Sequence, residues 1–123
     1  TGVSVVAEVG SAGEDTVYTD MPDAVFTGVT AQSDALLEVK AGTADAAVID
    51  YTMATAMTGE GTDYSELMIV EGIDLMDEEY AIGFRLGSDM TAKANEIIEK
   101  FLADGTLSEL AEKYEMSDLL ITD

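Results

Sequence analysis

Two junctions in the sequence bring together residue types that bind charge. The first is Val9-Gly10-Ser11-Ala12-Gly13-Glu14, where an apolar run ends in a Gly-x-x-Gly turn and a helix-forming segment begins. Glycine lets backbone come close to a ligand, and the first N–H groups of a helix have no intrahelical acceptor. Together with the helix dipole they attract an anion such as a carboxylate. The same spacing also serves a purely structural strand-to-helix turn. The second junction is Ala46-Ala47-Val48-Ile49-Asp50-Tyr51. Asp50 is the first charged residue after an apolar run, and its carboxylate suits an ammonium group. Asp is equally a favoured N-cap for a helix starting near Thr52. If the two apolar runs are neighbouring parallel strands, both junctions open at the C-terminal edge of the sheet, where α/β proteins bind ligands. N–H groups on one side and a carboxylate on the other fit a zwitterion, for instance an amino acid. The candidate ligand residues are therefore Gly10, Ser11, Ala12, Gly13 and Asp50.

Other chemistry is narrowed by composition. The chain has no His and no Cys, so it lacks Ser–His and Cys–His nucleophiles, thiolate chemistry and the usual zinc and haem ligands. No catalytic residue, metal site or cofactor is expected. Its 123 residues carry 26 Asp and Glu against five Lys and Arg, a formal charge of -21. Phosphate backbones and anionic lipid repel such a chain, which disfavours nucleic-acid and membrane-surface binding. Asp74, Asp77, Glu78 and Glu79 form an acidic run without the ligand order of an EF-hand loop, and read as a solvated loop. The seven Met are dispersed and are expected in core and rim packing. Tyr18, Tyr64, Tyr80 and Tyr114 are expected to pack as well. Tyr51 either walls a ligand or packs under its helix. Glu14, early in its helix, suits the dipole.

The elements that would position these junctions follow from periodicity. Hydrophobic residues make up 47% of the chain, enough for a core. Val3–Val9, Ala24–Val29 and Ala46–Ile49 read as strands, the last a continuous apolar run of the kind covered on both faces. Helices are expected over Ser11–Asp20, ended by Met21-Pro22-Asp23, over Ser33–Ala41, ended by Gly42, and from Thr52 to Met57. Gly59–Asp63 reads as a polar loop. Leu67–Val70 and Tyr80–Phe84 are expected as a fourth and a fifth strand. Ala94, Ile97, Ile98, Phe101 and Leu102 lie on one face of a further helix, which Gly105 ends. Thr106 and Glu109 form a T-x-x-E capping box before a last helix with Leu107, Leu110, Ala111 and Tyr114 on one face. Alternating strands and helices predict a three-layer α/β fold: an open, mostly parallel sheet with helices on both faces. No apolar run approaches the about 18 residues of a membrane span. The opening Thr1-Gly2-Val3 leads almost directly into a strand, as expected of a piece of a longer chain.

These motifs, in their order, resemble the second lobe of a type 2 periplasmic substrate-binding protein, of the amino-acid family that feeds ABC transporters. The resemblance is carried by Gly10-Ser11-Ala12-Gly13-Glu14, by Asp34-Ala35-Leu36-Leu37 through Gly42-Thr43-Ala44-Asp45-Ala46 to Asp50, by Glu79 to Ser88, and by Ala103-Asp104-Gly105-Thr106-Leu107 with Leu110 to Tyr114. It implies that Gly10, Ser11 and Ala12 contact a substrate α-carboxylate. Ala12 stands where the family often has a hydroxyl, so only a backbone contact survives there. It implies that Asp50 holds the substrate ammonium, that Asp45 is a structural turn residue and that Arg85–Ser88 is hinge. Arg85, the single arginine, does not match the carboxylate clamp, which the family places in its first lobe.

The domains expected on this basis are a lobe over residues 1–86 and closing helices over 87–123 that in the family pack on the first lobe. The function implied is delivery of a polar amino acid to an ABC permease, without catalysis and without a cofactor. The setting implied is extracytoplasmic, periplasmic or lipid-anchored at the cell surface, with a signal peptide in the full-length protein. Alone, the chain is expected to bind amino acids weakly and to dimerise through the closing helices. Two other functions fit the same fold. One is a cyclohexadienyl-type dehydratase, with Glu14 or Asp50 as general acid. The other is the sensory ligand-binding domain of a membrane receptor.

Overall fold

A computed structural model describes residues 2–73 and 75–122. The chain divides into two compact units, residues 1–78 and 79–123, each described by itself.

The first unit is α/β and holds a small open sheet of three parallel strands: β1 (Ser4–Glu8), β2 (Val25–Val29) and β3 (Ala46–Ala47), in the order β2-β1-β3. Between them run α1 (Ala12–Asp20) and α2 (Gln32–Ala41), and α3 (Tyr51–Met57) follows β3. β1 is central, and Val5, Val6 and Ala7 are all buried. Alternate strand residues point to opposite faces, so both faces of β1 are covered. Val6, at 0% exposure, clusters with Ala35 of α2 and with Ala44, flanked by Val29, Val39, Ala47 and Ile49. Fully burying a valine side chain is worth about 1.5–3 kcal/mol. On α1, Thr16 and Val17 are the buried residues.

Local chemistry sets the ends of these elements. Ser11 caps α1, its hydroxyl accepting the Glu14 N–H at 3.2 Å. The helix stops at Asp20, because Pro22 disfavours helical geometry at Met21. α2 ends at Gly42, whose φ of +74° costs glycine little. The Thr43 and Ala44 N–H groups then donate to the Glu38 carbonyl at 3.0 and 3.2 Å. Asp45 behaves as a turn residue: its carboxylate accepts the Ser4 N–H at 2.8 Å, and its own N–H donates to the Ser4 carbonyl at 2.9 Å. β3 is shorter than the expected Ala46–Ile49, although the Val48 N–H still reaches the Val6 carbonyl at 2.9 Å.

After α3 the chain turns back on α2. Tyr64 is buried, and Lys40 holds it from outside: Nζ lies 3.0 Å from Glu66, donates to the Asp63 carbonyl at 2.9 Å and sits 5.2 Å from the Tyr64 ring centroid. Backbone N–H bonding within its own residue, then Lys40, holds the Glu66 carboxyl below its ordinary value.

The expected fourth strand, Leu67–Val70, is absent: these residues form no ladder, and Met68, Ile69 and Val70 are exposed. A β-capable sequence becomes a strand only where a sheet edge accepts its N–H and C=O groups, and these residues pair with no strand of the sheet.

In the second unit, α4 (Met90–Ala103) and α5 (Thr106–Lys113) pack on each other, and a 3-10 turn, Ser117–Leu119, packs on α5. The expected fifth strand, Tyr80–Phe84, has no regular structure. Its residues are exposed, Tyr80 and Ile82 most of all, and the same need for a pairing edge accounts for it. The expected capping box also fails. Thr106 lies inside α5, and Gly105, with φ +83°, is the cap. Asp104 takes the role instead, its carboxylate accepting the Thr106 N–H at 3.0 Å and the Thr106 hydroxyl at 2.5 Å. An ionised acceptor makes the stronger bond, and these contacts hold the Asp104 carboxyl below its ordinary value. No residue of α4 or α5 is buried. The apolar face expected on them is real in sequence, yet Ile97, Phe101 and Leu110 remain exposed.

Candidate functional site

β1 and β3 are neighbours and parallel, with Val6 paired to Ala47. The Gly10 turn and Asp50 therefore leave the same edge of the sheet. One close approach draws them together. A Cβ on Gly13 would lie 2.9 Å from the Val48 carbonyl oxygen, so only glycine lets the first turn of α1 press against the backbone leading to Asp50. Gly13 is thus required by packing at the site, whatever else it does there.

Within the turn, the hydrogen-bonding groups are unequally engaged. Gly10 takes the left-handed conformation at φ +76°, and its N–H donates to the Glu14 carboxylate at 2.6 Å. The Ser11 hydroxyl donates to the Glu8 carbonyl at 2.7 Å while capping α1, and the Ser11 N–H donates to the same carbonyl at 3.3 Å. Among the described residues, the N–H groups of Ala12 and Gly13 have no protein acceptor. They are the pair open to an anion, and both residues are half-buried. Glu14 does more than face the dipole: its carboxylate reaches back to the turn. The Ser11-x-x-Glu14 spacing is that of a capping box, with the carboxylate taking the Gly10 N–H one residue before the cap.

Asp50 is half-buried and caps α3. Its Oδ1 accepts the Met53 N–H at 2.8 Å. That is the capping use anticipated for it, and it engages one of the two carboxylate oxygens. The Asp50 N–H donates to the side-chain oxygen of Gln32, at the start of α2, at 2.8 Å. Nothing in the sequence singles out Gln32, since one long polar side chain at a helix start has no periodic signature. Tyr51 projects outward at 58% exposure, so it does not pack beneath its helix.

The arrangement sets two unpaired N–H groups beside a carboxylate with one oxygen uncommitted. Hydrogen bonds to charged groups contribute about 1.5–3 kcal/mol each, which sets the scale of what these groups can offer a charged ligand. A separate shallow cavity of about 420 Å³ is lined by Val9, Gly28, Val29, Thr30, Asp34, Leu37 and Glu38. None of the five predicted ligand residues lines it.

The remaining expectations divide. Tyr64 packs in the core, but Tyr18, Tyr80 and Tyr114 are exposed, Tyr18 at 61% although it meets Phe26 edge to face at 5.1 Å. No methionine is buried, and Met68, Met76, Met90 and Met116 are exposed. Of the acidic run, Asp77, Glu78 and Glu79 lie exposed on irregular backbone, and Asp74 lies outside the described residues. Among the described residues, no group of three or more His, Cys, Asp or Glu is placed to hold a metal ion, and no helix is long and apolar enough to cross a membrane. No protein-family model, curated protein or solved structure matches the chain.

Proposed function

We propose that this chain is the second lobe of a type 2 periplasmic substrate-binding protein that delivers a polar amino acid to an ABC permease outside the cytoplasm. The observation that carries the reading is the β1–β3 pairing, which sets Asp50 beside the open N–H groups of Ala12 and Gly13. In this reading the α-carboxylate lies on those two N–H groups, within the field of the α1 dipole. The α-ammonium lies on the uncommitted oxygen of Asp50. Ser11 and Gly10 shape the turn and are held by Glu8 and Glu14. The first lobe, closing over the ligand, supplies the rest of the site, as clamshell binding requires. The exposed apolar residues of α4 and α5 belong against that lobe, and without it they pair with a second copy of the chain.

The test is an NMR titration of the 123-residue chain with each of the twenty amino acids in turn. The expected result is weak, saturable shifts at the Ala12, Gly13 and Asp50 amides, largely lost in Asp50→Asn. Calorimetry should show no micromolar affinity. Tight binding by this chain alone, or shifts that ignore Asp50→Asn, would sink the reading.

A further inference from the structure

Gln32, at the start of α2, reaches the proposed ligand edge through its side chain. The acceptor of the Asp50 N–H must be its oxygen, since an amide nitrogen accepts no such bond, and the 2.8 Å distance is that of a good hydrogen bond. The bond joins residues 18 apart in sequence, and so ties the start of α2 to the cap of α3. Ala31, the residue capping α2, makes no side-chain cap bond, so Gln32 is not part of a capping arrangement for its own helix.

Three bonds then define Asp50, one of them the Ala54 N–H donating to its carbonyl at 2.9 Å as the first turn of α3. Gln32 holds its backbone, and Met53 holds one of its carboxylate oxygens. With the backbone fixed and Oδ1 fixed, the direction of Oδ2 is fixed too. Releasing the N–H bond would let the φ of Asp50, at -55°, and with it the carboxylate, relax about the two bonds that remain, from the Met53 and Ala54 N–H groups. We infer that Gln32 is a positioning residue: by holding the Asp50 backbone it aims the free carboxylate oxygen at the ligand ammonium. The inference rests on the proposed binding function, and Gln32 itself need not touch the ligand.

Three variants of the 123-residue chain test it: Gln32→Met, which keeps the length and removes the acceptor, Gln32→Glu, which keeps the acceptor, and Asp50→Asn. Hydrogen exchange of the Asp50 N–H should accelerate in Gln32→Met and recover in Gln32→Glu, while the exchange of the Val6 and Ala7 amides stays as in the parent chain. In the titration with each of the twenty amino acids, Gln32→Met should weaken the responses by about three- to tenfold, the size of one ordinary hydrogen bond, and Gln32→Glu should restore them. A merely structural role would instead change the Val6 and Ala7 exchange as well, and would not make Asp50 protection and binding fall and recover together. Unchanged Asp50 exchange in Gln32→Met overturns the inference. So does unchanged binding in Gln32→Met when Asp50→Asn abolishes it, and in that case the binding function stands. If Asp50→Asn itself leaves binding unchanged, the binding function falls, and the positioning role with it.

Discussion

The two units of the chain spend similar apolar sequence to different ends. Residues 2–73 build a sheet whose central strand is buried on both faces, and Val6, Ala35 and Ala44 share one core. Residues 79–122 form helices with an apolar stripe of the same kind, and no residue of α4 or α5 is buried. The difference is one of layers. A helix stripe must lie on another element to leave water. In the first unit α2 lies on β1. In the second the helices have each other, and Phe101 stays 37% exposed and Ile97 51%. Periodicity thus reports what a helix is able to bury, and only a partner decides whether it does.

The largest test of this contrast puts a charge at matched places. Val6→Asp sets an unpaired carboxylate where exposure is 0%, and an unpaired buried charge costs about 3–5 kcal/mol. Circular dichroism and amide dispersion should show the first unit unfolded at ambient temperature. Phe101→Asp, on α4, should leave the fold intact, abolish binding of an apolar dye and convert any dimer seen by light scattering to monomer. A parent chain that is strictly monomeric and binds no dye would break the comparison, because it would mean the stripe of α4 is satisfied as it stands.

The same contrast explains what was legible in the sequence. β1, α1, β2 and α2 fall within a residue or so of expectation, because Gly10, Pro22 and Gly42 punctuate them locally. Leu67–Val70 and Tyr80–Phe84 carry the composition of strands but form no strand. Pairing is non-local, and composition says nothing of which edge is open. The capping box at Thr106 failed for a local reason: Asp104, two residues earlier, offers an ionised acceptor that a hydroxyl does not match. At the site, Asp50 was legible as the first charge after β3, and its conditional placement beside the Gly10 turn holds because β3 pairs with β1. The division of labour inside the turn was not legible. That Gly10 and Ser11 are engaged while Ala12 and Gly13 are open depends on where the Glu8 carbonyl and Glu14 carboxylate point.

Gly13→Ala probes the contact that joins the two junctions, with an intermediate effect. The new methyl would meet the Val48 carbonyl oxygen at 2.9 Å. Backbone cannot swing aside as a side-chain tip does, so α1 must tilt. Overpacking of this kind costs about 1–3 kcal/mol. Thermal denaturation should show the loss, and the amino-acid response should fall by more than the stability change explains, since the Ala12 and Gly13 N–H groups move with the helix. Gly83, where a Cβ would meet nothing within 4 Å, is the control in the second unit: Gly83→Ala should leave the melting temperature unchanged.

The smallest effect separates the units by the reach of their charge contacts. Glu66 and Asp104 are both exposed carboxylates held below their ordinary values. Glu66 owes this first to backbone bonding in its own residue and then to Lys40, which is distant in sequence. Asp104 owes it to Thr106, two residues away. A carboxyl whose folded value is depressed adds stability that is complete above its ordinary value and disappears as pH falls through the lowered one. Both contributions should therefore fade only in the acid range, below 4.5 for Glu66 and below 3.8 for Asp104. Exposure keeps them small, and salt screens the Lys40 pair. Following the side-chain carboxyl carbons by NMR, Lys40→Met should move the Glu66 midpoint part of the way back up and leave Asp104 where it is. Unfolding the first unit with Val6→Asp should move Glu66 the same way, because Lys40 is brought to it by the fold. Asp104 should keep its lowered midpoint for as long as α5 persists. A Glu66 midpoint that survives both variants would show that its own backbone sets it, and that the α2 clamp on the Tyr64 loop contributes nothing to its charge.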